Sequence, residues 1–136
     1  MSFVLDCSVT MAWCFEDERT AATDALLDKL VAEGAEAPSI WPLEVTNVLI
    51  GAARHSRITA DAANNAAQRI AALPVMIDLE ATRRAWDSLL QLAVRHNLTS
   101  YDACYLELAL RKALPLATLD KALRRAASEA GVMLLL

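Results

Sequence analysis

Short apolar runs recur along this chain, each separated from the next by stretches of helical period. The runs are Ser2–Leu5, Ala35–Ala37, Val75–Asp78, Pro115–Thr118 and Val132–Leu136. They are too short to be buried helices and read as central strands. Strands alternating with helices specify a parallel sheet covered on both faces. The expected fold is therefore a three-layer α/β/α arrangement around a parallel sheet of about five short strands. No linker, repeat or low-complexity tract divides the chain, so residues 1–136 are expected to form one domain.

Local signals set the helix boundaries. Ser8 is expected to cap a helix over Val9–Phe15, followed by a second helix from about Glu18 to Ala32 that Gly34 stops. Pro42 suits the first turn of a helix running to about Ser56, and Thr59 caps one from Ala60 to Leu73. Glu80–Arg95 has the apolar spacing of one continuous amphipathic helix, with Ala85, Leu89, Leu92 and Ala93 inward. Further helices are expected over Tyr101–Ala113 and from Asp120 to the stop at Gly131.

Hydrophobic residues make up 56% of the chain, yet no apolar run approaches the roughly 18 residues needed to span a bilayer. The first residues lack a basic segment and a small-residue cleavage site, so the expected location is cytoplasmic, with no membrane partner. Three cysteines, Cys7, Cys14 and Cys104, show no metal-ligand spacing and are expected to be small buried apolar residues. His55 and His96 fall near helix ends, where the helix dipole favours them. The net charge of −4 carries no electrostatic footprint for nucleic acid. A cluster of acids that hold metal would lower net charge without removing local basic patches.

Acids stand at the joints of this pattern. All strands of a parallel sheet end at one edge, where the following helices begin and where ligands bind. Asp6 follows the first strand, Asp120 follows the fourth, and Glu44 lies early in the helix after the second. Asp102 opens the second of two helices between the third and fourth strands, so up-and-down counting sends it to the opposite edge. Each acid alone suits a helix first turn. Convergence at one edge requires more, because neighbouring carboxylates oppose each other's ionisation unless a cation lies between them. Hard oxygen ligands suit Mg²⁺ or Mn²⁺.

The segments Val4-Leu5-Asp6-Cys7-Ser8, Trp41 to Leu49, Leu98 to Ala103 and Thr118 to Leu123, followed by Ala126, Ala127, Gly131 and Val132, resemble the PIN-domain family. Within it they look like the VapC toxins of bacterial toxin–antitoxin pairs. The resemblance implies Asp6, Glu44, Asp102 and Asp120 as an acidic set holding Mg²⁺ or Mn²⁺ for hydrolysis of RNA phosphodiester bonds. It thereby places Asp102, which topology alone does not. Ser8 and Thr118 match hydroxyl positions beside the acids, and Asn47 lies one turn beyond Glu44; all three are given supporting roles. The implied partners are RNA, a VapB-type antitoxin and a second copy of the chain in a homodimer. An apolar groove around Val45–Leu73 is the expected antitoxin seat, and Lys121, Arg124, Arg125, Arg54 and Arg57 are candidate RNA contacts.

Other acidic α/β architectures fit less well. A response-regulator receiver wants adjacent acids after its first strand, and a haloacid-dehalogenase-like phosphatase wants an acid where Ser8 stands. A dinucleotide-binding domain wants a glycine-rich turn, and Asp6–Thr10 contains no glycine. The alternatives kept open are a catalytically silent PIN-like binding module and a PIN nuclease outside any toxin–antitoxin pair.

Overall fold

A computed structural model describes residues 1–136. The apolar runs become β1 (Val4–Leu5), β2 (Ala35–Pro38), β3 (Val75–Asp78) and β4 (Leu116–Ala117), all parallel in the order β3-β2-β1-β4. The C-terminal run is shorter than a strand: Leu134 makes a single parallel bridge to Leu116 and carries the sheet one residue pair beyond β4.

The helices are α1 (Cys7–Cys14), α2 (Ala21–Glu33), α3 (Trp41–Arg54), α4 (Ala60–Ala71), α5 (Glu80–Arg83), α6 (Leu90–His96), α7 (Ser100–Lys112) and α8 (Lys121–Glu129). From β1 to β3 the chain steps across the sheet in one direction, and right-handed crossovers place α1–α4 together on one face. The step to β4 reverses direction, so α5–α8 cover the other face. The result is the expected three-layer architecture. Its core centres on Phe3, Val4 and Leu5 of the first segment and on Leu30, Leu106 and Leu116, all fully buried. Each such leucine stabilises the fold by about 2 kcal/mol relative to exposure.

Several helix boundaries differ from the sequence expectation, each for a local reason. Helix α1 begins at Cys7, with Asp6 at the capping position, so Ser8 lies inside the helix and does not cap it. A short 3₁₀ turn, Glu16–Glu18, precedes α2, which starts later because Thr20 and Thr23 form a reciprocal capping box. Arg57 stacks on Phe15, 3.8 Å from the ring centroid, and pairs with Asp17 and Glu18, pinning that turn to the end of α3.

The expected single helix over Glu80–Arg95 is broken in two. Arg84 leaves helical geometry at φ −94°, ψ 7°, and a π turn over Ala85–Leu89 separates α5 from α6. The Leu89 N–H reaches the Arg84 carbonyl, and this wider turn sends Trp86 to solvent at 91% exposure. Ala81, Leu89 and Ala93 still face inward against Ala103 and Cys104, forming a second small core beneath the start of α7.

Helix α7 runs opposite to the direction expected from counting forward. Only Ala113, Leu114 and Pro115 join its end to β4, so its C-terminus must lie where β4 begins. A 13-residue helix is roughly 20 Å long, enough to put Ser100 and Asp102 at the edge where strands end. A partly buried ionic clip fastens it to the sheet: Arg111 of α7 donates to Asp78, the last residue of β3, at 2.6 Å, and to Glu107 at 2.7 Å. Burial raises the Asp78 carboxyl, but hydrogen bonding and charge from Arg111 outweigh it and leave the group below the usual range.

Candidate functional site

Crossovers leave to opposite faces from β1 and β4, which are neighbours, so a crevice opens between their carboxyl ends. Asp6 and Asp120 arise at this crevice. Asp6 is buried, and its Oδ2 accepts from Ser8 Oγ at 2.6 Å and from Thr118 Oγ1 at 2.7 Å. Those hydroxyls are themselves fixed by backbone: the Leu119 N–H donates to Ser8 Oγ and the Asp120 N–H to Thr118 Oγ1. Asp120 caps α8, its Oδ2 accepting from the Leu123 N–H at 2.9 Å. Capping occupies one oxygen, so it does not exclude a second role for the other.

Glu44 comes from α3, whose start is tied to α1 by the Trp41 indole N–H donating to Thr10 Oγ1 at 3.0 Å. Its Oε1 accepts from the Tyr105 hydroxyl at 2.6 Å. Asp102 stands in the first turn of α7, with its own N–H donating to Thr99 Oγ1. Asn47 is exposed one turn beyond Glu44 and makes no side-chain hydrogen bond within the protein.

The electrostatics report how closely the four acids stand. Burial first, and then the charges of Asp120, Asp6 and Glu44 in that order, together push the Asp102 carboxyl up to about 6. Burial also raises Asp6 against the lowering effect of its hydroxyl partners. Glu44 is raised chiefly by burial, with Tyr105 opposing and Asp6 adding. The four acids thus lie near enough to affect one another's charge, with Ser8 and Thr118 bonded to Asp6 and Asn47 exposed one turn beyond Glu44.

Four carboxylates with no imidazole or thiolate among them form a hard-oxygen set. No three of these side chains converge on a single ion position. Such convergence is not required for Mg²⁺, which binds through one or two carboxylates and retains water elsewhere. The donor chemistry therefore fits a hard divalent cation.

Tyr105 is the site residue that sequence reasoning missed. It lies on the apolar face of α7, three residues after Asp102, and is fully buried. A buried tyrosine hydroxyl requires a partner, which was the available signal. The cysteines also differ from expectation: only Cys104 is buried, while Cys7 and Cys14 are half-buried free thiols. Burial raises all three thiols, so none is an activated nucleophile. His96 does end α6, where its Nδ1 lies 3.0 Å from Glu129 Oε2.

Of the basic side chains expected near RNA, three are engaged within the fold. Arg57 is held by Asp17 and Glu18, Arg124 donates to the Thr118 carbonyl, and Arg125 donates to the His96 carbonyl.

Comparison with known proteins gives two findings. A family model described as PIN domain matches residues 3–129. The crystal structure of PAE2754 from Pyrobaculum aerophilum aligns with 99% of this chain and 90% of that one, at a TM-score of 0.72 and 23% sequence identity. That likeness concerns the fold. No curated protein gives a significant match.

Proposed function

Because this chain belongs to the PIN-domain family, whose members are generally nucleases that use divalent metal, we propose that it is an endoribonuclease dependent on Mg²⁺ or Mn²⁺. The acids Asp6, Glu44, Asp102 and Asp120 are assigned as the metal-holding set, with Ser8, Thr118 and Asn47 supporting. The observation that carries this reading is that four carboxylates, from four different elements, stand near enough around the crevice between β1 and β4 for Asp120, Asp6 and Glu44 to raise the Asp102 carboxyl.

Three of the four acids have distinct means of staying in place. Ser8 and Thr118 orient Asp6, Tyr105 orients Glu44, and the α8 N-terminus orients Asp120. In each case one carboxylate oxygen is engaged by the protein and the other is left for a ligand. A divalent cation supplies, when bound, positive charge for phosphate oxygens and acidity for water. The chain offers no Ser/His/Asp or Cys/His set for covalent catalysis.

We assign it further as the toxin of a VapBC-type pair. The support is an apolar groove between α3 and α4, where a cavity of about 250 Å³ is lined by Trp41, Val45, Ala67, Ile70 and Leu73. It continues past Leu49 and Ala63 and would seat an amphipathic antitoxin helix. Exposed Trp86, Leu90 and Val94 on the outer side of the π turn and α6 are assigned to the homodimer.

Antitoxin-free protein is expected to cleave RNA with Mg²⁺ or Mn²⁺ and to stop on addition of a chelator. Asp6→Asn should lose at least about a hundredfold in cleavage rate, the scale on which one electrostatic stabiliser matters, with an unchanged circular dichroism spectrum. Cleavage at the parental rate by the folded variant would remove the site assignment. A folded parent that cuts no RNA, yet binds a partner through the α3–α4 groove, would establish the silent binding module instead.

A further inference from the structure

Beside Glu44 an open cavity of about 620 Å³ lies between α3 and the start of α7. Ile40, Leu43 and Ile50 form its apolar wall, and Asn47 and Tyr101 supply its polar atoms together with Glu44 and Thr46. Tyr101 immediately precedes Asp102 in the chain, and Asn47 follows Glu44 by one turn. The cavity is therefore built from the neighbours of two of the four acids. Tyr101 is 60% exposed, and neither its hydroxyl nor the Asn47 amide hydrogen-bonds to any other group of the protein.

We propose that this cavity is a nucleobase subsite, in which Tyr101 stacks on an unpaired base beside the scissile phosphate and Asn47 meets that base's hydrogen-bonding edge. The proposal rests on the ribonuclease reading and deepens it.

Charge identifies the occupant. No lysine or arginine lines the cavity, and Glu44 forms part of its floor, so a phosphate has no partner there. The cation next to an acid of the site stands instead on α8, where Lys121 follows Asp120. That division suits one nucleotide unit: backbone toward α8, neutral base toward α3. An aromatic ring offers a base its stacking face, and a primary amide offers both a donor pair and an acceptor. Bases in an A-form duplex are stacked and recessed, so only an unpaired one can be turned out to reach Tyr101.

The test uses a short RNA with one cleavage site, and a set of copies carrying an abasic residue at each flanking position. With the parent protein, one abasic position should raise KM about tenfold, the scale of a base–aromatic stack. Tyr101→Ala should show that loss on intact RNA and no further loss on the abasic copy, while Tyr101→Phe keeps the parental difference. Asn47→Ala should reduce discrimination among the four bases at that position. A second readout is independent of cleavage: 2-aminopurine placed there should be quenched by Asp6→Asn protein and not by the Asp6→Asn, Tyr101→Ala double variant.

Cleavage indifferent to every abasic substitution overturns the subsite, as does an abasic penalty that survives Tyr101→Ala. A change of molecular mass in Tyr101→Ala, with the penalty intact, assigns this face to contact between copies and overturns it likewise. A parent that neither cuts nor quenches removes the ribonuclease reading itself. Quenching without cleavage leaves the subsite standing and removes only the reaction.

Discussion

Asp102 is the acid whose charge state the site controls most directly. Its folded value of about 6 stands above the model-peptide value of 3.8. Between those values the folded chain holds more proton than the unfolded one, so stability falls as pH rises through that window. Protein kept metal-free with chelator is therefore expected to melt at a higher temperature at pH 5 than at pH 7. Asp6 and Glu44 are raised as well and act in the same direction, so Asp102→Asn should shrink the difference without removing it. Equal melting temperatures for the parent at both values would mean that neither burial nor the neighbouring acids raise these carboxyls. Asp6, Glu44 and Asp120 could be placed from sequence because each follows a strand closely. Tyr105 could not, since its apolar neighbours Cys104, Leu106 and Leu108 make it look like ordinary core. Its partner lies 61 residues away, a pairing that only the folded chain reveals.

At the scale of elements, the ends of α7 decide the site. Its C-terminal cap, Ala113, takes the left-handed conformation at φ 52°, ψ 44°, which disfavours any residue with a Cβ. Ala113→Gly is expected to stabilise the protein by about 1 kcal/mol in urea unfolding, with no loss of RNA cleavage. The other end of α7 carries Asp102, whose position escaped forward counting. Counting from β3 assumes that Glu80–Arg95 spans the sheet as one helix, and the break at Arg84 removes that assumption. Counting backward from β4 succeeds, because three connecting residues leave α7 no other direction. Four of the five expected strands fall where the apolar runs stand, β3 at the expected Val75–Asp78, while the C-terminal run forms only the Leu116–Leu134 bridge. The π turn was not legible, because Ala81, Ala85, Leu89 and Ala93 hold the inward spacing of an unbroken helix.

Across the whole molecule, like charges are gathered where the layers meet, in a chain whose net charge is already −4. A cation bound at a hundred times its dissociation constant stabilises a folded protein by about 2.7 kcal/mol. For a chain of this size that corresponds to a rise in melting temperature of about 10 °C. Saturating Mn²⁺ should produce that rise in the parent and much less in Asp6→Asn; equal rises in both would place the ion elsewhere. The hydroxyl bridge at the centre of the site has one more consequence, which concerns time. Thr118 and Asp6 are 112 residues apart in the chain, and the Leu119 and Asp120 N–H groups fix the hydroxyls on either side of Asp6. During synthesis, Asp6 and Ser8 leave the ribosome long before Thr118, the other residue that orients the carboxylate. A nascent chain ending short of Leu116 carries three of the acids and none of the framework that joins β4 to β1. The centre of the site is therefore complete only once the fourth strand has joined the first, so its assembly reports closure of the sheet.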